Sequence, residues 1–117
     1  MKLMFAILFV SVFGNAKLSR ATELSGGLYA TVGEDAYYDA LISVNRDLNG
    51  DVTNLTERFV VEGIPTKPFY FTCENNLCTN LEKPFWTIKV LSKTEYEDRY
   101  NTLKYRFVLI DLFPDDE

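Results

Sequence analysis

The spacing of apolar and polar residues changes several times along this chain, and each change marks an expected element. Leu3 to Phe13 is an apolar run with one basic residue, Lys2, before it and Gly14-Asn15-Ala16 after it. A basic start, a short hydrophobic stretch and small residues just before a cut site make a signal peptidase substrate. Residues 1–16 are therefore expected to be a signal peptide, cleaved between Ala16 and Lys17. The run is about half the length that a membrane-spanning helix needs. Residues 17–30 mix Lys, Ser, Arg and Thr with the pair Gly26-Gly27 and read as a flexible N-terminal lead.

From residue 31 the spacing becomes helical. Tyr37, Leu41, Val44 and Leu48 follow one another at intervals of four, three and four, which places them on one face of a helix. Thr31-Val32-Gly33-Glu34 has the Thr-x-x-Glu form of a capping box, Glu34 and Asp35 suit the positive end of the helix dipole, and Asn49-Gly50 supplies a stop. The pattern thus predicts a helix over 32–49.

Beyond it the period shortens to two. Strands are expected around Phe59-Val60-Val61, Phe69-Tyr70-Phe71, Phe85 to Lys93 and Thr102 to Leu112. In the last of these Leu103, Tyr105, Phe107 and Leu109 share one face, and Lys104 and Arg106 the other. Gly63 to Lys67 and Glu74-Asn75-Asn76 read as turns, and Thr94 to Asn101 as a polar loop. The expected fold is α+β: one N-terminal helix packed on a four- to five-stranded antiparallel sheet, a single domain over 31–113 with an acidic tail at 114–117. An all-β sandwich is the alternative.

Composition narrows the function classes. Nine Phe, seven Tyr and one Trp supply a generous core for a mature chain of about one hundred residues. The formal charge of −5, with no basic cluster, argues against nucleic acid and anionic membranes as partners. Histidine is absent, which removes Ser–His and Cys–His catalysis, and no enzyme is expected. Cys73 and Cys78 are the two cysteines; in an oxidising compartment they are expected to form a disulfide, which also removes a thiol nucleophile. No metal or cofactor is implied by two cysteines without histidine. Asn54-Leu55-Thr56 is a sequon, so Asn54 is a candidate glycosylation site. Trp86 reads as a core residue whose indole N–H finds a partner at a sheet edge.

Ala30-Thr31-Val32-Gly33-Glu34, leading to Ala40-Leu41 and Asn49 behind Gly26-Gly27, resembles the helix region of the cystatin family. Phe59-Val60-Val61-Glu62-Gly63 stands where that family carries a Gln-x-Val-x-Gly loop, with Phe59 in the glutamine position. The resemblance implies a reversible inhibitor that wedges Gly26, Gly27, Val60, Val61 and Gly63 into the cleft of a papain-like cysteine protease. The cathelicidin pro-domain, of the same fold, is matched about equally at Asn54-Leu55 to Arg58 and at Lys67-Pro68; it implies a non-inhibitory secreted binding protein. Val32-Gly33-Glu34-Asp35 and Glu95-Tyr96-Glu97-Asp98 are similar to the acidic motifs of a cadherin repeat. That second resemblance implies a calcium-binding adhesion module with Glu34, Glu95 and Glu97 as ligands.

Overall fold

The computed structural model describes residues 21–33 and 38–114, and no α-helix occurs among them. The strands are β1 (Gly27–Val32), β2 (Asp39–Arg46), β3 (Val52–Val61), β4 (Ile64–Pro65), β5 (Phe69–Glu74), β6 (Leu77–Asn80), β7 (Trp86–Ser92), β8 (Glu95–Tyr100) and β9 (Leu103–Leu112). Apart from β4, each strand pairs antiparallel with the next one along the chain, and β9 returns to pair with β1. The product is a closed, up-and-down barrel of eight strands; β4 is a short return that pairs only with the end of β3. Closure leaves no long unpaired edge among these eight strands.

Local chemistry fixes the tight corners. Glu62 and Gly63 both take positive φ at the β3–β4 turn, as do Asn75 and Asn76 at the β5–β6 turn. This is the two-residue hairpin form whose twist suits the flanking strands, and Gly and Asn tolerate it best. The second turn brings Cys73 and Cys78 opposite one another in register, and they are joined by a disulfide.

Alternation along each strand then sorts side chains between lumen and solvent. Tyr29, Ile42, Leu55, Phe71, Ile88, Tyr96 and Phe107 are almost completely buried and form the core inside the barrel. Outward positions of β8 and β9 carry Glu95, Glu97, Arg99, Lys104 and Arg106. Here Glu95 pairs with Arg106 and Glu97 with Arg99.

One end of the barrel is sealed by residues 21–26. Thr22 accepts from the Val52 N–H through its carbonyl and from the Asn76 N–H through its hydroxyl, each at 3.0 Å. Ser25 N–H donates to the Lys93 carbonyl at 2.9 Å, and Leu24 is 1% exposed beneath them. From residue 21 onward, then, the segment expected as a lead is a plug followed by the first strand.

The expected α+β fold is overturned. The span read as a helix holds the end of β1, all of β2 and the β2–β3 turn; Glu34 to Tyr37 lie outside the described residues. Thr31 caps no helix: its hydroxyl donates across to the Tyr38 carbonyl at 2.9 Å. The helical stripe comes apart, since Val44 packs on the core while Leu48 stands fully in solvent at the hairpin turn. Asn49-Gly50 belongs to that turn, where the Asp47 carboxylate accepts from the Asn49 and Asp51 N–H groups. The physical reason is that β2 is hydrogen-bonded on both sides, to β1 and β3, and such non-local pairing outweighs a local cap. The sandwich alternative fails as well, because there is one closed sheet and not two facing sheets. Thr94 to Asn101, expected as a loop, contains β8.

Candidate functional site

Leu55, Glu57 and Phe59 point into the lumen from β3, and Tyr96, Asp98 and Tyr100 from β8. These two strands are four places apart around the barrel in either direction, so their side chains meet across its full width. Glu57 is 0% exposed and Asp98 4%. The Tyr96 hydroxyl donates to Glu57 Oε2 at 2.8 Å, and the Trp86 indole N–H donates to Asp98 Oδ1 at 2.7 Å. Trp86 reaches Asp98 from β7, where it is paired with Tyr100, so the contact is a diagonal one between neighbouring strands.

One oxygen of each carboxyl, Glu57 Oε1 and Asp98 Oδ2, accepts no hydrogen bond from an N–H or hydroxyl of the described residues. The two carboxyl groups are within hydrogen-bonding reach of one another. Burial raises Glu57 well above its ordinary value of 4.5; the charge of Asp98 and a hydrogen bond to it push the same way, and the bond from Tyr96 opposes them. Burial also raises Asp98 above its ordinary 3.8, against hydrogen bonds from Glu57 and Trp86 that lower it. The Tyr96 hydroxyl is pushed well up, first by burial and then by the Glu57 and Asp98 charges, and stays a neutral donor. Burial thus holds both carboxyls toward their protonated forms, and a proton on one can be shared with the other.

Above the pair the barrel opens. A cavity of about 250 Å³ has Asp98 and Trp86 in its wall together with Phe59, Phe107, Tyr100 and Tyr105, and Tyr38 and Leu103 at its rim. Rings dominate this space. Phe59 and Trp86 lie parallel with centroids 6.3 Å apart, and Trp86 meets Tyr100 edge to face at 5.5 Å. A larger groove of about 400 Å³ runs outside β5 and β6 from Lys67 to Glu82. Its buried polar residue, Asn80, is already committed to the Glu82 and Lys83 N–H groups.

The residues singled out from the sequence fall elsewhere. Gly27 opens β1 at the sealed end, where it lies against Asp111 and Leu109 of β9, and the Gly26 carbonyl accepts from the Phe113 N–H at 3.1 Å. Val60, Val61 and Gly63 lie at the opposite end, in the β3–β4 hairpin. The segments expected to form one wedge are thus separated by the length of the barrel. Glu95 and Glu97 face solvent against arginines, and Glu34 lies outside the described residues. Among the described residues no cluster of three or more metal-ligating side chains forms. Asn54 is exposed on the outer face of β3, beside Asn45. Trp86 is a core residue as expected, with its N–H partner inside the lumen and not at an edge.

The sequence reading does not single out Glu57, and Asp98 enters it only within the Glu95-Tyr96-Glu97-Asp98 motif. Their signal was present: Leu55-x-Glu57-x-Phe59 and Tyr96-x-Asp98-x-Tyr100 each set a carboxyl at the inward beat of an apolar alternation. No protein-family model, curated protein or solved structure matches the chain. Neither the cystatin nor the cadherin resemblance is supported. What the fold and site do define is a class by architecture: a closed eight-stranded up-and-down barrel, plugged at one end, with an aromatic pocket over an acidic pair at the other.

Proposed function

We propose that this is a secreted, non-catalytic binding protein that takes one small ligand with an aromatic or apolar body in the mouth of its barrel. One observation carries the reading: the lumen does not fill to the top with packed side chains but ends in a pocket of about 250 Å³ walled by aromatic rings, with a buried carboxyl in its wall. Barrels of eight strands are wide enough either to fill with side chains or to hold one small ligand. Mostly apolar walls with a few placed polar groups are the usual form of such a site.

Other features agree. Charged residues on the outer face of β8 and β9 and an apolar lumen are the reverse of what a membrane-spanning barrel requires. The apolar run at Leu3 to Phe13 supports secretion, and the disulfide suits an oxidising compartment. The acidic pair reaches the pocket through Asp98 alone, which favours a recognition role over acid–base chemistry on a bound substrate.

The test uses the single tryptophan, which lies in the pocket wall and reports its occupancy. Phenethylamine, 2-phenylethanol and 3-phenylpropionate share one aromatic body and differ in charge. At least one should bind with one-to-one stoichiometry in calorimetry and change the Trp86 emission. If none of the three produces heat or a change in emission at millimolar concentration, the binding reading is wrong.

A further inference from the structure

We infer that the ligand of the mouth pocket is a small organic monocation, its ammonium group seated against Asp98 and its body held between the aromatic walls. The inference rests on the small-ligand reading above and adds the charge that such a ligand must carry.

The charge balance of the lumen points to it. Trp86 and Tyr96 each donate one hydrogen bond to the pair, but both donors are neutral. Among the described residues no lysine or arginine lines the pocket. Arg99 and Arg106, from the adjoining strands, face outward onto Glu97 and Glu95. A negative charge on the pair has no cationic side chain beside it among the described residues that line the pocket, which is a costly state. Beyond a proton shared between the two carboxyls, Asp98 Oδ2 and Glu57 Oε1 accept no hydrogen bond from the described residues. An ammonium group supplies both missing things, a full positive charge and three donors.

The walls select the rest of the ligand. Phe59, Trp86, Tyr100 and Tyr105 surround the approach to Asp98, and ring faces attract cations. A bare metal ion fits poorly, because calcium takes six to eight oxygen ligands and this site offers two carboxyl groups among rings. An anion would meet the charge of the pair directly.

Cation and proton compete for the same place. An ammonium balances one negative charge of the pair, so a pair that carries both of its protons releases one to solvent when the ammonium binds, and the other stays between the carboxyls. The groups facing the pair are Tyr29 of β1, Phe69 of β5, Trp86 of β7, Tyr96 of β8 and Tyr105 of β9, and none is cationic. Amine affinity should therefore rise with pH through the titration of the pair, by up to about tenfold per pH unit, until the amine itself deprotonates.

The deciding experiment ranks the three phenyl probes by calorimetry at about pH 5 and about pH 8, below the range where an alkylamine loses its proton. We expect phenethylamine to bind wild-type protein at least about tenfold more tightly than 2-phenylethanol at the higher pH, with 3-phenylpropionate weakest. The advantage should shrink at the lower pH. Asp98→Asn should abolish it, so that the amine binds the variant no more tightly than the alcohol does. If the alcohol binds and the amine shows no advantage, the charge assignment is overturned while the small-ligand reading stands. An amine advantage that survives Asp98→Asn overturns it too. If none of the probes binds, the small-ligand reading falls and takes this one with it. Should Asp98→Asn fail to fold, the ranking of the three probes on the wild-type protein decides alone.

Discussion

Replacing Glu57 by glutamine keeps the side chain's shape and removes its proton equilibrium, so it isolates what the acidic pair does to stability. In the wild-type barrel Glu57 has a raised pKa, chiefly because it is completely buried. Between its ordinary value of 4.5 and its folded value, the native state binds more protons than the unfolded chain. Stability from this group is thus fully present below 4.5 and is lost as pH rises through the folded value. Asp98, raised from 3.8, acts in the same direction. One proton of difference gives a slope of about 1.4 kcal/mol per pH unit. For a domain of about one hundred residues, that slope lowers the melting temperature by about 6 °C per pH unit.

The introduced amide can keep both contacts: its carbonyl accepts from the Tyr96 hydroxyl, and its NH₂ reaches the Asp98 oxygen that now lacks a donor. Glu57→Gln should therefore match wild type within about 1 kcal/mol near pH 4 and exceed it at neutral pH, with a much flatter profile between. Thermal unfolding followed by circular dichroism across that range provides the readout. Glu97→Gln, on the outer face, is the control and should leave the slope as it is. Parallel wild-type and Glu57→Gln profiles would refute the reasoning, because the pH dependence would then arise outside the lumen.

Closure and stapling give two further expectations. Gly27→Ala would place a Cβ 2.3 Å from the Asp111 carbonyl oxygen and 2.7 Å from Leu109 Cδ1, so it should destabilise the β1–β9 seam by about 1–3 kcal/mol in denaturant unfolding. An unchanged midpoint would mean that the seam relaxes freely. Removing the Cys73–Cys78 bond with Cys73→Ser and Cys78→Ala should cost about 2 kcal/mol, at the low end for a disulfide because the residues are only five apart. Labelling of the unreduced native protein should detect no thiol, and a loss well above that figure would show that Cys78 matters mainly as packing in the core.

Three of the strands after residue 62, β5, β7 and β9, could be read from the sequence because each carries its own evidence, while β6 and the polar β8 could not. Leu103, Tyr105, Phe107 and Leu109 alternate with charged neighbours, and that alternation survives intact in β9. The turn at Asn75-Asn76 and the cysteine pairing across it follow from local chemistry too. Residues 31–49 misled because two local signals, a Thr-x-x-Glu box and a stripe at four, three and four, coincided with a third period. Ala40, Ile42 and Val44 alternate at two, and these are the side chains that the barrel turns inward. What decides between the two periods is the pairing of β2 with β1 and β3, and β1 in turn needs β9, some eighty residues away. No local window contains that information. The site was hidden for the same reason: Glu57 and Asp98 are about forty residues apart and meet only across a closed barrel. A carboxyl between two apolar beats becomes conspicuous once its strand is known to have an inside.

The two ends of the lumen are built on opposite principles, and the contrast bears on function. Toward the sealed end Leu24, Tyr29, Leu55 and Val90 belong to the core, and residues 21–26 tie strands from around the barrel through backbone bonds. At the mouth the same alternation delivers two carboxyls into a space that aliphatic side chains could occupy. Replacing a buried ionic pair by apolar residues of similar volume is often neutral or stabilising, so the Glu57–Asp98 pair has no evident purpose in holding the barrel together. Its raised pKa values make it a cost that grows with pH, over the range in which a bound cation would relieve it. The rigid plug lets the barrel bear this cost, because closure and the apolar floor do not depend on the mouth. A site that violates the packing rule of its own fold, where the surrounding structure is tight enough to tolerate it, is where recognition should be sought first.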